Sequence, residues 1–327
     1  MPMDENATQS PYLTLWQRGE FTAPERSLLA WVRAQRLFAL LHWRAQQQGW
    51  ALPPSFVRAA REMQYRVQAQ QTLVEGQLRA LGALARALDI PVVLVKGASV
   101  ARAYPEPWMR PYTDIDLLVP EARLTGWLTA LTGTDYVWSE TTVGQRGWHA
   151  PSLSPKSAGL KVEVHTALAR EREEALFTFA QWRNGLHPWN VVPGLWLPDP
   201  VEHALYIVHH AVVHHEFTLG LLPFADLYFW TQHWEMYAWQ QLADSAASAG
   251  LRRATGVALA LTAWMWDTVW PSEIQRLFPS PPDEILMAAQ RSVAGVGVQR
   301  MPNVWRDAPE RNARGPVSYT HLRAHET

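Results

Sequence analysis

Apolar residues recur along this chain in two rhythms, a helical one at both ends and a strand-like one in the middle. From Ser27 to Gln48, Leu28, Leu29, Trp31, Val32, Leu37, Phe38, Leu40, Leu41 and Trp43 fall at helical spacing, and Gly49 ends the run. Pro53-Pro54 then opens a longer helix, marked by Phe56, Val57, Met63, Val67, Leu73, Val74, Leu78, Leu81, Leu84 and Leu88 with Arg, Gln and Glu between them. The short turn between the two predicts an antiparallel helix pair packed on whatever follows. A polar lead-in over residues 1–25 holds one short helix around Tyr12 to Arg18.

The rhythm then changes. Val92 to Val95 is a short β-branched run of the kind that makes a buried strand, and Lys96-Gly97 breaks it with a tight turn. A short helix over Ala98 to Tyr104, with Ser99 near its start, is stopped by Pro105 and Pro107, and a second strand runs from Asp114 to Val119. Alternation puts Asp114 and Asp116 on one face of that strand and Ile115 on the other. Leu160 to His165 alternates too, with Glu163 and His165 on one face and Val162 and Val164 on the other. Between these strands lie a helix over Glu121 to Leu131 and weaker strands at Tyr136-Val137-Trp138 and Trp148-His149-Ala150, the latter two joined through a hairpin loop over Thr141 to Gly147. The fold class predicted is α+β, a small mixed sheet with helices on one side.

From Arg170 the pattern is helical again: a helix over 171–183, a connector rich in Pro and Trp from Gly185 to Pro200, and a helix opened by Asp199-Pro200-Val201-Glu202. Further helices cover 221–248 and 251–269. The domain organisation read from these shifts is an N-terminal helical segment over 1–85, an α+β core over 86–169, a C-terminal helical domain over 170–300 and a tail over 301–327. The last stretch, GPVSYTHLRAHET from Gly315 to Thr327, reads as a non-native polar run; it is set aside, and the natural C-terminus is then expected to be missing.

Two carboxylates side by side repel, and they sit comfortably only with a cation between them. Such oxygen ligands suit Mg²⁺, which binds through one or two carboxylates and nucleotide phosphates. An Asp-x-Asp tripeptide by itself is more often a surface turn. Glu163 is a further acid, on the alternating stretch Leu160 to His165, its alternative being a half-exposed residue paired with Arg or Lys. Lys96 and Arg110 flank the acids and could neutralise phosphate, the alternatives being a solvated lysine and an arginine in a salt bridge. His203, His209, His210, His214 and His215 crowd one helical stretch, and His210 and His214, four apart, share a face that could hold one divalent ion. The His-Glu-x-x-His arrangement of metalloproteases is not there. The alternatives are a polar helix face turned to a nucleotide, or core histidines bonded to backbone.

Composition narrows the classes. With 327 residues, 48% hydrophobic and 18% charged, the chain can bury a large core and is not disordered. The absence of cysteine excludes disulfides, thiolate metal sites and cysteine nucleophiles. A formal charge of −1 argues against a general nucleic-acid binder. The longest apolar run, Ala254 to Trp266, is too short to span a membrane, and the N-terminus has no secretory signal, so a cytoplasmic protein is expected. The 18 tryptophans are expected to fill the core in preference to lining a cavity.

Lys96-Gly97-Ala98-Ser99, Tyr104-Pro105, Arg110 and Asp114-Ile115-Asp116-Leu117-Leu118-Val119 together resemble the signature of the polymerase-beta-like nucleotidyltransferase superfamily. More narrowly they resemble an uncharacterised bacterial nucleotidyltransferase group that reads L-K-G, Y-P, R and D-I-D-L-L-V. Glu163-Val164-His165 is similar to that group's acidic, apolar, His triplet, and Asp226-Leu227 to its Asp-Leu pair, although the basic residue before that Asp is replaced by the apolar Leu219 to Phe224. The superfamily's Gly-Ser pair stands here as Gly97-Ala98-Ser99, which leaves open whether the Ser99 hydroxyl or backbone N–H meets the phosphates.

The resemblance implies transfer of a nucleoside monophosphate from an NTP, ATP being expected, to an acceptor hydroxyl, with two Mg²⁺ ions and release of pyrophosphate. It implies Asp114, Asp116 and Glu163 as catalytic metal ligands and Lys96, Gly97, Ser99, Arg110 and His165 as nucleotide-binding residues. His210, His214 and Asp226 are candidates for an acceptor or phosphate site, Asp226 alternatively being a helix N-cap. The acceptor would be a small molecule or peptide. A regulatory module that binds a nucleotide on the same fold and transfers nothing is the second reading, and a histidine-based metal hydrolase the third.

Overall fold

A computed structural model describes residues 11–139, 150–171 and 174–295. The strand expected at Trp148-His149, the loop over 141–147 and the tail from 301 lie outside the described residues. The chain begins with four helices, α1 (Pro11–Arg18), α2 (Glu25–Ala34), α3 (Phe38–Gln48) and the long α4 (Pro54–Ala87). Then come β1 (Val92–Val95), α5 (Lys96–Val100), two 3₁₀ turns, β2 (Asp114–Leu118), α6 (Leu124–Thr132), β3 (Tyr136–Trp138), β4 (Leu153–Pro155) and β5 (Lys161–His165). A hairpin of β6 (Ala167–Glu171) and β7 (Glu174–Thr178) leads to α7 (Phe179–Trp182), β8 (His187–Pro188) and β9 (Leu195–Leu197). The remainder is helical: α8 (Pro200–Val208), a π-helical turn (His209–His214), α9 (Leu222–Thr231), α10 (Met236–Ser248), α11 (Arg252–Trp266), α12 (Ser272–Leu277) and α13 (Asp283–Val293). No helix among the described residues is long and apolar enough to cross a membrane.

The main sheet has seven strands in the order β3-β4-β5-β2-β1-β9-β8. It is mixed: β2 runs antiparallel to β1 and parallel to β5, and β1 runs parallel to β9. Its two faces are covered differently. Val92, Leu94, Ile115, Leu117, Val162 and Val164 join α4 residues Val74, Leu78, Leu81 and Ala85 and α6 residues Trp127 and Leu131 in one buried cluster. On the other face Val93, Val95 and Leu118 join a second cluster built on α1 to α3 and the C-terminal helices. Each fully buried Val or Leu contributes about 1.5–3 kcal/mol, so both faces anchor the sheet. The α+β class is as expected, but helices cover both sides of the sheet instead of one.

Three expectations need correction. The run from Ser27 to Gln48 is two helices, because Arg36 takes a left-handed conformation (φ 59) and turns the chain between α2 and α3. The stretch 171–183, rich in helix-forming Glu, Ala and Leu, is mostly the β6–β7 hairpin, in which Ala169 pairs with Leu176 and Arg170 with Ala175. Packing overrides propensity there: Phe177 is buried against the rings of Trp182, Tyr206 and His209. The connector from Gly185 to Pro200 contains β8 and β9, so the central sheet draws strands from beyond residue 169. The stretch 221–248, expected to be helical, holds two helices, α9 and α10. Asp199 does cap α8, its carboxylate accepting from the N–H of Val201 and Glu202.

Candidate active site

Period-two alternation and strand register together assemble the acids. Pairing of β2 with β5 sets Asp114 opposite Lys161, Asp116 opposite Glu163 and Leu118 opposite His165, and all six side chains leave the same face of the sheet. That face looks toward α8 and α9. It floors a cavity of about 460 Å³ whose lining includes Lys96, Gly97, Asp114, Asp116 and Glu163 on the sheet side and Tyr206, His210 and His215 opposite. None of the tryptophans among the described residues lines it. Trp16, Trp31, Trp127, Trp182, Trp239 and Trp266 are instead buried in the core.

Asp116 is the innermost acid. Its Oδ1 accepts from Lys96 Nζ at 2.7 Å and lies 2.9 Å from His165 Nε2. Burial would push its carboxyl up, but Lys96 and His165 outweigh that and hold it well below the usual carboxylate range. Burial works to lower the Lys96 ammonium in turn, and Asp116 more than reverses it, so Lys96 titrates above its ordinary value. Burial and then Lys96 push the His165 imidazole down, so it is neutral at pH 7 and its Nε2–H donates to Asp116. Asp114 differs. Burial, Asp116 and Glu163 all push its carboxyl up, and Lys161 and Lys96 only partly offset them. Glu163 Oε1 accepts from Lys161 Nζ at 2.7 Å, and the same ammonium is 3.9 Å from Asp114 Oδ2.

A group on this floor could hold a metal ion. Asp116, Glu163 and His165 each offer a ligand atom, all within 4.8 Å of one another, with Asp114 on the same face one step along β2. A set dominated by carboxylate oxygen suits Mg²⁺ or Mn²⁺.

The turn after β1 is built tightly against this floor. A Cβ on Gly97 would stand 2.7 Å from Tyr112 Cβ and 2.9 Å from Arg110 Nη1, so only glycine fits. Lys96 holds a left-handed conformation (φ 53), a strained state for a residue with a Cβ and one that functional turns tend to retain. Ser99 is not part of the cavity wall. Its side chain is fully buried, its Oγ finds no hydrogen-bond partner among the described residues, and α5 behind the turn has only five residues.

Arg110 and Asp226 meet in the cavity wall but face each other. Arg110 Nε and Nη2 donate to the two oxygens of Asp226 at 3.0 and 2.8 Å, and the Tyr104 hydroxyl donates to Oδ1 at 2.6 Å. Asp226 lies within α9, whose N-cap is Leu221, so the N-cap alternative is corrected. His210 lines the cavity, its ring stacked on that of His214 at 5.8 Å between centroids, whereas His214 is exposed and not among the lining residues. Among the described residues the His210–His214 pair is not part of a group of three or more His, Cys, Asp or Glu that could hold a metal ion.

Arg36, with Ala34 and Gln35, also lines the cavity, and the sequence reading did not anticipate it. These residues come from the turn between α2 and α3, in the segment expected only to pack. Their signal was the break in helical spacing between Val32 and Leu37. Gln35 ties that turn to the C-terminal helices, its Nε2 donating to Val293 O at 3.1 Å and its Oε1 accepting from Leu221 N at 2.8 Å.

Residues 23–267 match a family model described as an uncharacterised nucleotidyltransferase. The chain belongs to that nucleotidyltransferase family. It is accordingly a transferase, and the Lys96-Gly97 turn, the β2 acids and Glu163 all fall within the matched region. None of the curated proteins matches it. Among solved structures, ANT(2")-Ia in complex with adenylyl-2"-tobramycin aligns with 11% identity over 58% of this chain and 97% of that one, at a TM-score of 0.33.

Proposed function

We propose that this nucleotidyltransferase moves a nucleoside monophosphate from an NTP, ATP first among them, to an acceptor hydroxyl on a small molecule or peptide, with Mg²⁺ required and pyrophosphate released. One observation carries the reading: Asp114, Asp116 and Glu163, from two adjacent strands, line one cavity beside a glycine-only turn. Asp114, Asp116 and Glu163 would hold the ion or ions, which when bound neutralise phosphate charge and acidify the acceptor hydroxyl.

The chain's own residues would do the rest by positioning and charge. His165 and Lys96 keep Asp116 ionised and fixed in orientation. Gly97 lets the triphosphate approach the backbone, and Lys96 and Arg36 present positive charge to it. The acceptor oxygen forms a bond to the α-phosphorus while the bond to the bridging oxygen of pyrophosphate breaks, and the hydroxyl proton leaves to solvent. His210 would contact the acceptor, with the exposed His214 stacked on its ring. Asp226 would act indirectly by holding Arg110 in the wall. Ser99 would support the turn from beneath, and backbone N–H would be what meets phosphate. A cytoplasmic setting suits an NTP-dependent reaction.

The test is pyrophosphate release from single NTPs with a panel of hydroxylated acceptors. Asp114→Asn alone and Asp114→Asn with Asp116→Asn should each lower release by at least about a hundredfold while circular dichroism stays near that of the parent. Turnover at the parent rate in the single variant would overturn the assignment.

A further inference from the structure

Lysine is rare in this chain, occurring at Lys96, Lys156 and Lys161, and two of the three reach the acids. Lys96 is paired with Asp116 from a half-buried position in the cavity wall. Lys161 is different: it lies directly opposite Asp114 on β5, points to the same face as Glu163, and keeps 42% of its side chain exposed. Its ammonium sits 2.7 Å from Glu163 Oε1 and 3.9 Å from Asp114 Oδ2, so it bridges the two outer acids. An ion coordinated by Glu163 and Asp114 would need the oxygen lone pairs that Lys161 now engages, and it would repel an ammonium held a few ångströms away. The residue type fits an exchange. An ammonium on a flexible four-carbon stem, half in solvent, can swing aside, whereas a bidentate arginine fork would bind the carboxylates more rigidly.

We propose that Lys161 is a placeholder cation that bridges Glu163 and Asp114 in the metal-free chain and must be displaced when a divalent ion binds there. The inference rests on the reading of these acids as a metal site. It makes Lys161 a residue that sets the ion affinity of the protein and holds the acids together between cycles.

The experiment measures Mn²⁺ binding to the full chain by the loss of the free-ion electron paramagnetic resonance signal, for the parent, Lys161→Met, Lys161→Gln and Glu163→Gln. Both lysine variants should bind Mn²⁺ several-fold and up to about tenfold more tightly, the scale expected for removing one partly exposed charge pair. In chelator they should melt below the parent, and Mn²⁺ should raise their melting temperature by more than it raises the parent's. Glu163→Gln should bind weakly. If the parent binds Mn²⁺ and both lysine variants bind it equally or less tightly, the placeholder role is overturned and the metal site stands. Mn²⁺ binding by none of the proteins would overturn the metal reading and this proposal together.

Discussion

His203 is a residue whose surroundings decide its chemistry. It is fully buried, stacked edge-on to Trp230 at 4.8 Å, and neither ring nitrogen finds a hydrogen-bond partner among the described residues. Burial, helped by Arg102 and Arg110, pushes its imidazole from 6.5 down to about 3. Below about pH 6.5 the unfolded chain therefore takes up a proton that the folded chain refuses, and stability falls with pH until about 3. The slope from this one group approaches about 1.4 kcal/mol per pH unit. His203→Phe should flatten the decline in urea midpoint between pH 6.5 and 4, and a parent-like decline in the variant would show that His203 is not its source. Of the histidines singled out in the sequence, His203 is thus a core residue, without the bond to backbone that the alternative expected among the described residues, and His210 reaches the cavity. Spacing could not separate them, because the π-helical turn over His209–His214 alters which positions face inward.

Elements explain why the acids were legible. A strand alternates by covalent geometry, so Asp114 and Asp116 had to share a face once Asp114–Leu118 was a strand, and Glu163 shared one with His165 for the same reason. That the two faces would be the same one follows from the pairing of β2 with β5, which alternation alone does not specify. The turn after β1 was legible in its glycine but not in its reason, which is the approach of Tyr112 and Arg110. Gly97→Ala should cost about 1–3 kcal/mol in urea denaturation, because Tyr112 Cβ has no freedom to retreat. It should also weaken NTP binding by about tenfold, since the displaced turn carries Lys96; a parent-like midpoint and affinity would refute the close-packing account. The β6–β7 hairpin runs against local preference, since Glu, Ala and Leu favour a helix while strand pairing and the burial of Phe177 depend on distant contacts.

At the scale of the whole molecule, the cavity exists because three distant parts of the chain meet over the sheet. The N-terminal turn brings Arg36, the C-terminal helices bring Tyr206 and His210, and Gln35 fastens the first to the second. Gln35→Ala would leave the buried Leu221 N–H and Val293 carbonyl unpaired, for a loss of about 1–3 kcal/mol. It should also raise KM for the NTP or acceptor with a smaller change in kcat, read in the pyrophosphate assay; loss of stability with unchanged KM would confine Gln35 to a structural role. The sequence by itself determined the period-two strands, the glycine turn and the sharing of one strand face by Asp114 with Asp116 and by Glu163 with His165, because these depend on bond geometry over a few residues. Only the tertiary structure decided that Arg110 is matched to Asp226, that Ser99 lies beneath the site, that β9 joins the sheet and that Arg36 enters the cavity. Those outcomes depend on burial and pairing between segments far apart in the chain, about which local spacing carries no information.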